Sequence, residues 1–118
     1  NYKLTFERVT KQMARTKQYV VYTREFAKGN VKSKVGVFVD EAKKFVDANG
    51  NVNGLKIKHA TKRMTRPTPT RALLDRGYSV FCRVVATNTL DKALQTKDEL
   101  IGLLASSGRT IINNRQAA

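Results

Sequence analysis

The chain has 118 residues, of which 23 are Lys or Arg and 9 are Asp or Glu, so its formal net charge is +14 at pH 7. A chain of this length forms one domain, and its 41% of hydrophobic residues excludes wholesale disorder. The excess of positive charge predicts a polyanionic partner, either a nucleic acid or an anionic membrane.

Membrane binding is the weaker of these two interpretations. The chain has no apolar run of transmembrane length, no recognisable signal peptide and no long basic amphipathic helix. Cys82 is the single cysteine, so no internal disulfide can form, which suits a reducing cytoplasm. The chain begins with Asn1, and we expect an initiator Met or a short leader before it.

Apolar and polar residues alternate through the first part of the chain. The alternation predicts strands over 2–9, 18–23 and 34–39, with a turn at 28–30. Residues 40–46 fit either a helical turn or a strand that continues past a bulge, and we favour strand or irregular structure. Two Asn-Gly pairs predict a loop over 47–54.

The segment 55–62 alternates most cleanly and is predicted to be a strand. Its apolar face would carry Leu55, Ile57, His59 and Thr61, and its other face Lys56, Lys58, Ala60 and Lys62. Lysines at every second position of a strand stand about 7 Å apart, which approximates the phosphate spacing of one nucleic-acid strand. The alternative is an ordinary solvated face, and the net charge favours nucleic-acid contact.

The second part of the chain combines a loop, a strand and a helix. Two prolines predict a loop or extended arm over 65–71, followed by a strand over 78–85. If Val80, Cys82 and Val84 pack under a helix, Phe81 and Arg83 emerge on the side of the lysines, and a one-residue slip would reverse this. An amphipathic helix is expected from Asn88 or Thr89 to a stop at Gly108, with a bend or new start at Thr96 because Lys97 interrupts its apolar side. Residues 110–113 fit one further short turn.

No constellation of residues in the sequence predicts catalysis. His59 is the single histidine, and it falls on the expected core face. The sequence contains no phosphate-binding or dinucleotide-binding glycine motif and no cluster with metal-ligand spacing. We therefore expect a protein that is not an enzyme and that has no cofactor and no bound metal.

The order of elements after residue 55 resembles the coat protein of single-stranded RNA bacteriophages (leviviruses and relatives). The matching features are the segment Leu55-Lys56-Ile57-Lys58, the loop with Pro and Thr at 65–71, and the strand that leads into Ala86-Thr87-Asn88. A helix ending in Glu99-Leu100-Ile101-Gly102-Leu103-Leu104-Ala105-Ser106 follows. The resemblance covers roughly residues 55–112, about half of the chain.

The resemblance implies an α+β fold: an antiparallel β-sheet with an N-terminal hairpin and C-terminal helices, in a single coat-protein domain. Strands would occupy about 2–85 and helices about 89–115. Two chains would interlock, with each chain's helices crossing its partner's sheet, and the dimers would form an icosahedral shell around single-stranded genomic RNA. The implied dimer contacts are Leu94, Leu100, Ile101 and Leu104, and the implied inter-subunit loop contains Arg66, Pro67, Thr68, Pro69 and Arg71.

The implied RNA-binding residues are Lys56, Lys58, Ala60 and Lys62 together with Ser79, Phe81 and Arg83. Many family members also bind an RNA hairpin and repress translation of the replicase gene. Lys56 stands where well-studied members place a small hydroxyl residue, so bulk RNA packaging is the main expectation. A virion protein assembled in the bacterial cytoplasm is thus the first hypothesis. A small cellular RNA-binding protein of ribosomal type and a nucleoid-type DNA-binding dimer are the alternatives.

Overall fold

A computed structural model describes residues 17–113. The predicted strand over 2–9 lies outside these residues. The elements in chain order are β1 (Tyr19–Lys28), β2 (Val31–Glu41), a 3₁₀ turn (Ala42–Phe45), α1 (Gly54–Lys62), α2 (Pro69–Asp75), β3 (Ser79–Asn88), α3 (Leu90–Ser106) and β4 (Thr110–Ile111).

The four strands form one mixed sheet in the order β3-β1-β2-β4. β1 pairs antiparallel with both β2 and β3, whereas the two-residue β4 pairs parallel with β2. Strands β1 and β2 turn at 29–30, as the sequence predicts. The α+β class is confirmed, and the sheet is mixed where a wholly antiparallel one was expected.

Helices of the same chain cover both faces of the sheet. On one face Val20 and Tyr22 of β1 are buried against Phe45 of the 3₁₀ turn and Ile57 of α1. Further along that face, Phe26 and Val80 pack against Leu73 of α2. Full burial of an aliphatic or aromatic side chain contributes about 1.5–3 kcal/mol, so these clusters hold the two short helices onto the strands.

The opposite face of the sheet is covered by α3. Ala93 and Ile101 of this helix are buried with Val21 of β1 and Val37 of β2. The helix is continuous from Leu90 to Ser106, so the bend or new start predicted at Thr96 is wrong. Lys97 lies at a half-buried position on the helix. Gly108 stops the helix as expected, with a positive φ of 86° that favours glycine.

The predicted strand over 55–62 is wrong, because this segment is helix α1. Asn53 caps the helix, since its side chain accepts a hydrogen bond from the backbone N–H of Leu55. The buried residues are Ile57 and Thr61, which lie four positions apart as on one face of a helix. His59 is therefore exposed, and not on a core face as expected.

Three smaller predictions are also corrected. β2 ends at Glu41 and residues 42–45 form the 3₁₀ turn, which is the helical alternative for 40–46. The expected loop over 65–71 ends at Thr68, where α2 begins with Pro69 at its first turn, a position that needs no backbone N–H donor. Residues 110–111 are a strand, so the expected further helical turn is wrong.

Candidate nucleic-acid interface

The outward surface of α1 is basic. Ile57 and Thr61 face the sheet, and at about 100° per residue the rest of the helix surface carries the charge. The outward residues are Lys56, Lys58, His59 and Lys62, followed by Arg63 at the helix C-terminus. The helix contains no carboxylate, and none of the described salt bridges involves its lysines. We call these five residues the basic face.

The lysines of the basic face lie on a helix, whereas the sequence suggests a row of lysines along a β-strand. Lys58 and Lys62 are four residues apart and project from the same side of α1, whereas Lys56 projects about 160° from Lys58. The amine of Lys56 donates a hydrogen bond to the backbone carbonyl of Val46, with Nζ and O 2.6 Å apart. Lys58 and Lys62 are therefore the pair best placed to contact a polyanion.

The exposed residues of β3 lie on the face of the sheet that α1 and α2 do not cover. Ser79, Phe81 and Arg83 are exposed and alternate with the half-buried or buried residues Val80 and Cys82. The buried set of residues is the one we expected, but it packs under α1 and α2. The expectation that Phe81 and Arg83 emerge on the side of the lysines is therefore wrong, because α1 carries the lysines on the other face of the sheet.

The amine of Lys58 on α1 lies near the ring of Phe81 on β3. Its Nζ lies 5.8 Å from the centroid of the Phe81 ring, at the outer limit of a cation–π contact. Phe81 is 58% exposed, so its ring has a free surface that an unpaired base could stack on. The structure therefore brings Lys58 and Phe81 together, keeps Ser79 and Arg83 on the same strand, and leaves Lys62 one turn further along α1.

The residues predicted to form an inter-subunit loop divide between a loop and a helix. Arg66 and Pro67 are exposed in the loop, and Thr68 caps α2 by accepting a hydrogen bond from the N–H of Arg71. Arg71 lies within α2, where it forms a salt bridge with Asp75, with nitrogen and oxygen 2.9 Å apart. Arg71 also donates to the carbonyls of 62 and 64, so it fixes the loop within its own chain.

The four predicted dimer residues also differ in their surroundings. Ile101 is buried in the chain's own core, and Leu100 and Leu104 pack against the same cluster. Leu94 is 41% exposed. The helix residues expected to cover a partner's sheet thus largely cover the sheet of their own chain, and Leu94 is the one that remains open for a contact between chains.

Arg24 is not among the site residues that the sequence predicts. It is buried in the centre of β1, with 8% of its surface exposed. Its guanidinium donates hydrogen bonds to the hydroxyls of Thr61, Thr70 and Tyr22, at 3.1, 3.0 and 3.3 Å respectively. It also lies 4.2 Å from the centroid of the Phe38 ring. The signal in the sequence was a charged residue within the apolar series Val20, Tyr22, Phe26.

Two titratable groups near Arg24 are perturbed by burial. Burial raises the pKa of Tyr22 to about 12, and the neighbouring Arg24 opposes this rise. The Tyr22 hydroxyl donates to Asp40, whose other oxygen is 3.0 Å from Nζ of Lys44. Burial likewise raises the pKa of the Cys82 thiol, which lies beside Thr61, so its reactive thiolate form is disfavoured.

Over residues 17–113, no helix is both long and apolar enough to cross a bilayer. The same residues contain no group of three or more His, Cys, Asp or Glu side chains that could hold a metal ion.

Comparison with known proteins finds no matching family model, no similar curated protein and no similar solved structure. The charge, the exposed surfaces and the geometry described above are therefore the basis for assigning a function.

Proposed function

We propose that this chain is a structural coat protein that associates with copies of itself and packages single-stranded RNA. The observation that carries the RNA part is the basic face. Like charges four residues apart on a helix, as at Lys58 and Lys62, destabilise it by about 0.2–0.5 kcal/mol, and a bound phosphate backbone would remove that repulsion. The exposed Phe81 ring beside Lys58 adds a stacking surface, which favours unpaired RNA over a duplex.

The edge strand β3 supports the self-association part of the proposal. Among the described residues β3 pairs on one side only, with β1, so its outer backbone groups are free to pair with another strand. Phe81 and Val85 are exposed on this strand, at 58% and 42%. A long edge with exposed apolar side chains favours pairing with another chain, and a second copy of β3 would extend the sheet across a two-fold axis.

Leu90 and Leu94 of α3 are also exposed, at 41% each. In this proposal they join Val85 in the dimer contact, whereas Phe81 stays open to RNA, and the loop with Arg66 and Pro67 contacts further copies in an icosahedral shell. The chain would then be a bacteriophage virion protein assembled in the host cytoplasm, without catalytic activity. Recognition of one RNA hairpin, with repression of translation, would be an additional function of the same basic face.

A small cellular RNA-binding protein of ribosomal or nucleoid type is the second candidate. The observation that favours it is that helices of the chain itself cover both faces of the sheet, so the core is complete without a partner. This candidate predicts a monomer that binds RNA, whereas the coat protein predicts closed particles.

The first experiment is to express the chain in bacteria and to analyse the lysate by size-exclusion chromatography and negative-stain electron microscopy, with and without nuclease. Uniform shells that contain nuclease-protected RNA are the expected result. A small species that binds RNA only at low salt would reject the coat function and support the cellular candidate.

The basic face is tested by the double variant Lys58→Gln, Lys62→Gln. On single-stranded RNA, each lost phosphate contact lowers the slope of log affinity against log salt by about 0.7, so the double variant should lower it by about 1.4. The matched control Lys43→Gln, Lys92→Gln removes the same charge from exposed positions elsewhere. Equal slopes for the two double variants would show that the net charge, and not the basic face, binds RNA.

The edge contact is tested by Val85→Ser with Leu94→Ser, two exposed residues outside the basic face. We expect the dimer to dissociate in analytical ultracentrifugation while the circular dichroism spectrum is kept. Leu103→Ser is the control, because Leu103 is 69% exposed and lies nine residues from Leu94, on the opposite side of α3. A dimer that survives Val85→Ser with Leu94→Ser would remove the edge strand from the proposal.

A further inference from the structure

The guanidinium of Arg24 is a buried charge without a carboxylate partner among residues 17–113. None of the described salt bridges includes it, and its three hydrogen-bond partners are all hydroxyls. A buried charge is costly unless it is paired, so this arrangement favours an anion nearby.

Asp40 is linked to Arg24 only indirectly, through the Tyr22 hydroxyl, so its carboxylate does not pair with the guanidinium. Tyr22 accepts from Arg24 and donates to one oxygen of Asp40, and the other oxygen of Asp40 pairs with Lys44. Asp40 is therefore shared between Lys44 and the Tyr22 hydroxyl, and Arg24 has no direct carboxylate partner among the described residues.

Arg24 keeps two N–H groups of its guanidinium fork without a described partner. A guanidinium has five N–H groups, and the three hydroxyl bonds use one N–H on each of its nitrogens. One N–H on Nη1 and one on Nη2 have no described partner. Donors on the two neighbouring nitrogens suit the paired oxygens of a carboxylate or a phosphate.

A cavity of about 340 Å³ adjoins this fork. Its walls are mainly apolar and include Phe38, Met64, Pro69 and Ile112, and its polar lining includes Arg24 and Asp40. Cavities of roughly 300–1,000 Å³ with apolar walls and a few polar groups are typical small-molecule sites.

The position of the Phe38 ring in this wall depends on Gly36. A Cβ atom at Gly36 would come within 2.5 Å of the ring, so the absence of a side chain there makes room for it. Arg24 is the cross-strand partner of Gly36 and stacks on the same ring. The fork and one apolar wall are therefore positioned together.

We propose that this cavity binds a small organic anion, with one carboxylate or phosphate monoester held by Arg24 and an apolar or aromatic body against Phe38 and Met64. The site shares no residue with the basic face, so this inference does not depend on the proposed function. The bound anion would complete the charge balance at the junction of β1, α1 and α2, where Thr61 and Thr70 meet the guanidinium.

The test uses three probes on protein freed of nucleic acid by nuclease and a high-salt wash: benzoate, phenyl phosphate and the neutral benzamide. Binding is measured by titration of ¹H–¹⁵N spectra. We expect both anions to shift the amide signals of Thr61, Thr70 and Phe38, and benzamide to bind at least about tenfold more weakly because it lacks the charge-assisted hydrogen bonds. Equal binding of benzamide, no binding of any probe, or shifts confined to exposed lysines would each overturn the proposal.

Two variants locate the binding. Arg24→Lys removes the fork but keeps the charge and should weaken benzoate binding at least about tenfold, whereas Lys28→Gln, at an exposed position on the same strand, should not change it. If Arg24→Lys does not fold, Met64→Trp decides the question, because it fills the cavity without touching the guanidinium bonds. Undiminished benzoate binding in folded Arg24→Lys or in Met64→Trp would reject the assigned site.

Discussion

The substitution Thr61→Val tests whether the bonds of Arg24 hold α1 onto the sheet. Thr61 is fully buried, and its hydroxyl accepts from Nε of Arg24 and donates to the carbonyl of Ile57, four residues earlier. Valine keeps the β-branched shape and has a similar helix propensity, so the lost hydroxyl is the main change.

The expected loss of stability comes from the N–H donor of Arg24 that loses its acceptor. Without the hydroxyl, a charged N–H of Arg24 stays buried with no acceptor, which costs about 1–3 kcal/mol. Because the donor is charged, we expect about 2 kcal/mol. In a domain of 118 residues that lowers Tm by about 8 °C.

The assay is urea unfolding followed by circular dichroism, at one protein concentration because association raises the apparent stability. Thr96→Val is the matched control: its hydroxyl donates to the carbonyl four residues earlier, like that of Thr61, but contacts no arginine. The control should change the free energy of unfolding by less than about 0.5 kcal/mol. Equal losses for the two variants would refute the argument, and so would zero coupling between Thr61→Val and Arg24→Met in a double-mutant cycle.

Two further predictions concern the surroundings of Arg24. Gly36→Ala should lower the free energy of unfolding by about 1–3 kcal/mol in the same urea unfolding assay, because the new Cβ displaces the Phe38 ring. Gly102→Ala in α3, where a Cβ meets nothing within 4 Å, is the control and should raise it by about 0.5–1 kcal/mol. A neutral effect of Gly36→Ala would mean that the ring moves without cost. Tyr22 ionises near pH 10 when unfolded and near pH 12 when folded, so from pH 10 to 12 the unfolded state binds fewer protons and stability should fall by about 2–3 kcal/mol. Tyr22→Phe should lack that fall when unfolding is measured across this pH range, and an identical pH profile would exclude Tyr22 as its source.

Local patterns in the sequence predicted much of the fold. Strands β1, β2 and β3 lie where apolar and β-branched residues concentrate, and α3 ends at Gly108 as the glycine indicates. The exposure of Phe81 and Arg83 also follows from the strand period of two, once the buried set is known. These features depend on neighbours within one element, which is why the sequence suffices for them.

The segment 55–62 shows why the candidate site was harder to predict. Lysines at alternate positions suggest a strand, but Ile57 and Thr61, four positions apart, are the residues that reach the core. Thr61 is a polar residue, and its burial is explained by Arg24, which is 37 positions away in the chain. A hydropathy pattern does not reveal a contact between residues so far apart in the chain. The buried face of α1 could therefore not be predicted from the local sequence.

The sequence by itself determined the strong positive charge, the single cysteine, the main strands and the C-terminal helix, because composition and short-range periodicity are properties of the chain. Tertiary structure alone decided that the lysines of 56–62 surround a helix and that helices cover both faces of the sheet. It also decided that Arg24 is enclosed by three hydroxyls. Each of these depends on which distant segments pack together, and the burial of apolar surface across the whole fold selects that packing.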